Sequence, residues 1–341
     1  MMEPYEVGPI RPPSEAHSLL LRLTRNCPWN RCEFCPLYKG ATFSRRTVAD
    51  VKADIDLAAE LYGGDAYKTA FLQDADSILM RTEDLVEILA RLKKKFPRME
   101  RVTMYSRSAT IARKSVEDLS RLRDAGLSRL HVGLESGYGP LLEFVKKGVT
   151  PEKAIDAGKK VKESGISLSE YVLLGLGGKR WSREHAEATA EALNAINPDY
   201  IRIRTLRVPE GTPLWDKLQS GEFQRLNDED IIREERILIE RLEGITSYLA
   251  SDHSLNLLMQ IKGQLPDAKA DMLNTIDRYL ALPEREKRLF ELGRRMHIFH
   301  MLGDMADDER RARVEGALLA IESDPATSVD AVTFQLMGGT L

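Results

Sequence analysis

The chain has 341 residues with 50 lysines and arginines against 53 aspartates and glutamates, a formal charge of -3, and is 43% hydrophobic. That length holds one large domain, or a domain of about 200 residues with an appendage, and the balanced charge gives no sign of the strongly basic surface that phosphate-backbone binding usually leaves, without excluding a nucleic-acid substrate. No stretch approaches the roughly 20 apolar residues that span a bilayer, and Pro4, Pro12 and Pro13 stand where a leader would be basic and then apolar, so a soluble, cytoplasmic protein is expected.

Residues 1–17 read as an N-terminal extension. Over residues 18–225, short β-branched or apolar runs alternate with amphipathic segments of helical period, the pattern of a parallel α/β sheet. Six strands are predicted, at 18–24, 69–73, 101–105, 129–134, 168–175 and 200–206. Thr47 is placed to cap a helix with the apolar face Val51, Ile55, Ala58 and Leu61, and Gly63 and Gly64 supply its left-handed exit. Thr82 and Ser115 stand at the start of the next two helices, and Thr150-Pro151 puts proline at the first position of a fourth. Six βα units are fewer than the eight that close a barrel. The expected fold class is therefore α/β, a partial (β/α)6 barrel with its active site at the C-terminal strand ends. From about Asp228 the pattern turns helical and charged, with helices predicted near 231–242, 255–262, 268–280, 284–302 and 308–321. Residues 226–341 are expected as a helical C-terminal region packed against the barrel.

All three cysteines stand in Cys27-Pro-Trp-Asn-Arg-Cys32-Glu-Phe-Cys35, directly after the first predicted strand. An odd, clustered thiol set argues against a disulfide framework and for a metal in a reducing compartment. Three thiolates lack the fourth ligand of a closed zinc site, residues 22–44 contain no histidine, and Glu33 as the fourth ligand would make an unusual set. A cubane iron–sulfur cluster on three thiolates instead keeps one iron open to chelation by an amine and a carboxylate.

This arrangement resembles the radical S-adenosylmethionine (SAM) superfamily, whose usual motif is C-x3-C-x2-C after the first strand of a partial barrel. The aromatic residue before the third cysteine is here Phe34, while the first spacing is x4 and not x3. The resemblance extends over roughly residues 18–214. Gln73-Asp74-Ala75-Asp76 ends the second strand where the superfamily usually has a Gly-Gly-Glu-like turn for the methionine ammonium, which Asp74 would accept. Ser106 and Arg107 end the third strand, where a guanidinium would pair with a carboxylate of cofactor or substrate. Leu130-His-Val-Gly-Leu-Glu135-Ser-Gly137 resembles the ribose-contacting strand of the branch that holds the Elongator catalytic subunit, the tRNA methylthiotransferases and the coproporphyrinogen oxidases, with Glu135 toward the ribose hydroxyls. Tyr171-Val-Leu-Leu174-Gly175-Leu-Gly-Gly178 resembles the fifth strand, whose backbone at Leu174 and Gly175 runs beside adenine. The segment from Arg202 to Leu214 resembles the sixth strand and its exit loop. The resemblance implies a [4Fe-4S] cluster on Cys27, Cys32 and Cys35, and SAM as the second cofactor. It implies reductive cleavage to a 5'-deoxyadenosyl radical that abstracts hydrogen from a second substrate, with electrons from a low-potential donor such as flavodoxin or ferredoxin.

Blander readings stand beside these. Asp74 and Asp76 also suit a strand-ending turn, Glu135 a polar strand end, and Ser106-Arg107 a surface ion pair. Alternation puts Arg202 and Arg204 on one face of their strand, where they bind an anion if it lines the barrel or snorkel to water if it faces the helices. Ser251-Asp252-His253 either caps a helix or brings an acid-base histidine to substrate, and His297 and His300 are expected in a helix as surface or packing residues. With three cysteines there are no ligands for a second cluster, and no cobalamin domain is expected ahead of Cys27. Small-molecule chemistry by one hydrogen abstraction remains, or modification of a nucleic acid or protein by the same means; a small-molecule second substrate and no membrane partner are expected. The alternatives are an iron–sulfur electron carrier or sensor, which needs only the cysteines, and an RNA-modifying enzyme, which needs a basic track such as 91–95 or 285–295 facing the site.

Overall fold

The structure, a computed structural model, describes residues 4–338, so the outermost three residues of the expected N-terminal extension and of the expected C-terminal region lie outside the described residues. Eight strands follow chain order in one sheet: β1 (Leu19–Arg22), β2 (Thr69–Gln73), β3 (Arg101–Ser106), β4 (Leu127–Glu135), β5 (Ser167–Leu174), β6 (Tyr200–Thr205), β7 (Tyr248–Ala250) and β8 (Lys262–Gln264). β1 through β4 pair in parallel, β6 pairs in parallel with β7, and β8 returns antiparallel on β7. The fold is α/β as expected, and the strand order does not return from β8 to β1, so no closed barrel is present among the described residues. All six predicted strands form, with ends within about two residues of those read from the sequence.

The chain divides into two compact units, one running to Leu134 and including Lys146–Glu170, the other made of Glu135–Val145 and the chain from Tyr171 onward. In the first unit, α1 (Val48–Tyr62) buries Val51, Ile55 and Ala58, and α2 (Thr82–Lys95) buries Leu85, Ile88, Leu89 and Leu92, each at helical spacing. Thr47 Oγ1 accepts from Asp50 N, and Ser115 and Thr150 cap α3 (Val116–Asp124) and α4 (Pro151–Glu163) in the same way. Thr82 is itself the first helical residue of α2, and Arg81 holds the capping position without a side-chain bond. At the other end of the strands Glu15 is fully buried, accepting from Ser18 Oγ (2.6 Å) and Arg101 Nη2 (3.1 Å), with His131 Nε2 at 3.5 Å.

In the second unit, α5 (Gly178–Ile196) packs on α7 (Asp228–Arg241), with α6 (Pro213–Ser220) between them in the chain; α8 (Lys269–Leu280), α9 (Glu284–Arg295), α10 (Asp308–Glu322) and α11 (Val329–Gly338) follow. Three expectations are corrected here. The region past Asp228 is not wholly helical, because β7 and β8 extend the sheet. Of the residues expected as a helix at 255–262, those up to 261 form turns and Lys262 begins β8. Their apolar spacing matches a helix, but the carbonyls of Leu255, Asn256 and Leu257 accept from the buried guanidinium groups of Arg294 and Arg295, which replace an i+4 amide. The helix expected over 284–302 stops at Arg295: His297 takes a left-handed φ of 56°, and the amides of Ile298 and Phe299 both return to Gly293 O. His297 and His300 thus lie outside it.

Candidate active site

β1 hands the chain directly to the cysteine loop. Thr24–Arg25 pairs antiparallel with Ser44–Arg45, which closes the base of the excursion. Asn26 and Asn30 hold left-handed backbones (φ 66° and 45°), a conformation that asparagine tolerates. Asn30 N donates to Cys27 Sγ (3.4 Å), so the turn that absorbs the extra residue of the x4 spacing folds back on the first thiol. Lys39 Nζ donates to Asn30 O (3.2 Å) and Cys32 O (2.8 Å), tying the far limb to the same turn.

The three thiols are half-buried and not paired as a disulfide. Burial pushes the Cys35 thiol up, so a bound cation is what would hold it as thiolate. Among the described residues no three His, Cys, Asp or Glu side chains converge on a single ion. Glu33, weighed above as a zinc ligand, is buried with its carboxylate 2.7 Å from Lys146 Nζ. The donor set fits a cubane cluster, in which each thiolate takes a different iron and the sulfurs need not meet at one point.

The chain at 146–148 packs on this loop. Trp29 Nε1 donates to Lys146 O (2.7 Å), and the guanidinium carbons of Arg31 and Arg107 lie 5.1 and 5.2 Å from the Trp29 ring. Gly148 (φ 75°) touches the same ring so closely that a Cβ there would come within 2.4 Å of it. The Phe34 ring lies 5.9 Å from Lys147 Nζ.

The Gln73-Asp76 turn faces the loop through its own bonds. Gln73 Oε1 accepts from Gly8 N (2.8 Å) and its Nε2 donates to Ile10 O (2.7 Å), so it holds the N-terminal extension. Asp74, fully buried, accepts from Arg22 Nη2 (2.8 Å), Tyr38 Oη (2.8 Å) and Asn26 N (3.1 Å), which joins both limbs of the cysteine loop to one carboxylate. Asp76 accepts from Thr110 Oγ1 (2.6 Å) and Arg107 N (3.0 Å), and burial pushes it up to about 6. Ser106 is buried, its Oγ without a hydrogen-bond partner among the described residues, and Arg107 Nη2 donates to Lys147 O (3.2 Å). The cysteine loop with Phe34, Asp74 and Arg107 is thus linked through contacts within the first unit, Gln73 and Ser106 being joined to them as chain neighbours of Asp74 and Arg107. Sequence reasoning missed Arg22 and Tyr38; an arginine ending an apolar strand was the signal available.

The second unit carries Glu135, Leu174 and Gly175. Glu135 ends β4 with φ 62°, and the residues after it are held by α5: Ser136 Oγ lies 2.8 Å from His185 Nδ1, and Gly137 N donates to Thr189 Oγ1 (2.9 Å). Leu174 is buried and its carbonyl accepts from Leu206 N (2.8 Å), which places the exits of β5 and β6 side by side. Gly175 turns at φ 82° and its N–H donates to Glu234 Oε1 (2.6 Å), while Ser182 Oγ donates to Glu234 Oε2 (2.6 Å). Burial pushes Glu234 up to about 7 and His185 down to about 4. Glu234 had no local signal in the sequence. Ser251-Asp252-His253 caps no helix; it follows β7, and Asp252 pairs with Arg202 and Arg204.

The sequence profile of the Radical SAM superfamily matches residues 21–193. An uncharacterized methyltransferase of Pyrococcus horikoshii is 27% identical over 195 residues, 57% of this chain and 40% of that protein. A tRNA uridine(34) acetyltransferase of Methanocaldococcus jannaschii is 27% identical over 117 residues, 34% of this chain and 22% of that protein. Among solved structures, the radical S-adenosylmethionine methyltransferase TsrM of Kitasatospora setae aligns with a TM-score of 0.49 and 20% identity, covering 59% of this chain and 36% of that one. The chain thus spans less than half the length of each of these relatives.

Proposed function

The chain belongs to the Radical SAM superfamily, whose enzymes bind a [4Fe-4S] cluster and SAM, and from that premise we propose that it cleaves SAM reductively and abstracts hydrogen from a small-molecule second substrate. The observation that carries this reading is the gathering of all three cysteines on one loop at the C-terminal end of β1, inside the matched region. When bound, the cluster and SAM would supply one electron and the 5'-deoxyadenosyl radical that begins the reaction.

The chain's own residues bind, orient and exclude water. Cys27, Cys32 and Cys35 are the proposed iron ligands, and Asp74 holds their loop in place through Arg22, Tyr38 and Asn26. Phe34, Ser106 and Arg107 are assigned to the methionine end, where the free Ser106 hydroxyl and the Arg107 guanidinium are donors for a carboxylate, while the side chains of Gln73 and Asp74, also expected there, are taken by the N-terminal extension and by the cysteine loop. Glu135 is assigned to the ribose hydroxyls, and the backbone at Leu174 and Gly175, braced by Glu234, to adenine. In this proposal residues 18–225 form the catalytic partial barrel, 1–17 an N-terminal extension and 226–341 the C-terminal region. The electron donor is a low-potential carrier of the flavodoxin or ferredoxin type in a reducing, cytoplasmic setting.

The relative named as a tRNA acetyltransferase favours an RNA substrate as the second reading. Charge pairing weighs against it. Arg91 and Lys95 are taken by Asp56, Arg288 by Glu284, Lys287 by Glu229, and Arg294 and Arg295 are buried. No helix among the described residues is long and apolar enough to cross a membrane.

The test is anaerobic cluster reconstitution followed by dithionite and SAM, with 5'-deoxyadenosine followed by chromatography. Wild type is expected to form it and Cys32→Ala to form none. A cluster-loaded wild type that leaves SAM intact overturns the proposal and leaves the electron-carrier reading.

A further inference from the structure

We propose that the C-terminal end of β6 is an oxyanion site, built from Arg204 and Arg207 with Arg202 and His253, that takes the phosphate or carboxylate group of the small-molecule second substrate. The inference rests on the radical reading above and adds the class of substrate. Arg202 and Arg204 lie on one strand and Arg207 follows three residues on, and Asp252 pairs with the first two, 3.1 Å from Arg202 Nη1 and 3.5 Å from Arg204 Nη1. The side chains of Arg202 and Arg204 are only 11% and 14% exposed, so water does little to balance the surplus of positive charge.

The surplus also shows atom by atom. Arg202 Nε, Arg204 Nη2 and Arg207 Nη1 are buried and have no acceptor among the described residues. Buried cationic donors without acceptors are costly, and a planar oxyanion answers two of them at once. The Arg204 guanidinium carbon sits 5.0 Å from the Tyr171 ring centroid, which fixes the plane that an incoming anion would meet. Burial, and then the charge of Arg204, push His253 down to about 4, so near neutrality it adds a neutral hydrogen-bonding ring to the site.

The wall behind these groups is built to hold still. Asn256 accepts from Thr205 Oγ1 (3.0 Å) and donates to Ile203 O (2.9 Å), and the carbonyl of Asn256 is in turn held by Arg294 (2.7 Å). Leu206 N bonds to Leu174 O, so the arginines stand beside the segment assigned to adenine. Guanidinium groups as little exposed as those of Arg202 and Arg204 suit a small anion. The phosphodiester backbone of an RNA calls for exposed cations along a track.

The test titrates the full-length, cluster-loaded protein by calorimetry with inorganic phosphate and, separately, with malonate. The variants are Arg204→Gln, Arg204→Lys and Arg207→Gln, with Arg183→Gln, whose side chain is 70% exposed on α5, as control. Wild type is expected to bind one of the two anions saturably, and which one it binds tells phosphate from carboxylate. Each Gln variant should weaken that binding about tenfold or more, Arg204→Lys should recover part of it, and the control and the affinity for SAM should not move. The proposal is overturned if neither anion binds saturably, or if binding survives in both Gln variants. It is equally overturned if SAM affinity falls by the same factor, which would make the anion the cofactor's own carboxylate. Anion binding by a wild type that forms no 5'-deoxyadenosine upholds the site and removes only the radical reading.

Discussion

Replacing Asp74 by Asn changes one oxygen for an amide without changing shape, at a carboxylate that meets three donors and no water. Arg22 Nη2 and Tyr38 Oη each stand 2.8 Å away and Asn26 N at 3.1 Å, so the new NH2 group must point at one donor or another. Breaking a buried charge pair from one side costs about 3–5 kcal/mol. Arg22 keeps Glu6 Oε1 at 3.1 Å and some solvent, which places the expected loss near the low end, about 3 kcal/mol. Tyr38→Phe removes one donor and leaves the other two, for a loss of about 1.5 kcal/mol. Urea unfolding of the reduced, metal-free protein measures both. Because the same carboxylate joins Asn26, next to Cys27, to Tyr38, three residues past Cys35, iron bound per chain after reconstitution should fall in the same order although every cysteine is intact. An Asp74→Asn protein within about 1 kcal/mol of wild type that takes up iron equally well would refute the clasp.

Gly148→Ala should displace the Trp29 ring, since the new methyl would stand 2.4 Å from it at φ 75°; a shifted tryptophan emission and a lower melting temperature are expected, and an unchanged spectrum would count against the packing. Glu15 is opposed by burial, yet the nearby His131 ring, the hydrogen bond from Ser18 and the charge of Arg101 hold it at about 2. Its folded pKa is depressed from 4.5, so its stabilisation is present above pH 4.5 and is lost as pH falls toward 2, a span worth roughly 3 kcal/mol. Glu15→Gln should therefore lower the urea midpoint at pH 7 and flatten the acid limb; an unaltered slope between pH 5 and 3 would contradict it. Glu235 has the opposite sign: burial pushes it up to about 8, and Oε1 has no partner among the described residues. Stability from keeping it protonated is full below pH 4.5 and is lost as pH rises through 8, so Glu235→Gln should unfold at higher urea than wild type at pH 8 by more than at pH 5. Equal pH slopes in the two proteins would rule this out.

Much of the first two thirds was legible because its signals are local. Thr47, Ser115 and Thr150 cap amides three residues on, and the burial period of α1 and α2 repeats within a turn, so the chain states these elements without reference to its fold. The same holds for Cys27, Cys32 and Cys35, whose nearness is a matter of spacing along one loop. Where distant residues supply the partner, the sequence was silent or misread. Asp74 is held by Arg22 and Tyr38, 52 and 36 positions away, and the Gly175 amide by Glu234, 59 positions on. β7 and β8 are three residues each, too short to show a period, and exist as strands because β6 and then β7 offer an open edge. At 255–262 a helical spacing of leucines lost to the buried Arg294 and Arg295, whose donors met the carbonyls from outside the segment. Bonds closed within a few residues make the capped helices, the six longer strands and the thiol set readable along the chain; the partners of the cysteine loop, of the glycine turn and of Arg202 and Arg204 follow from folding, because Asp74, Glu234 and Asp252 each reach residues tens of positions away.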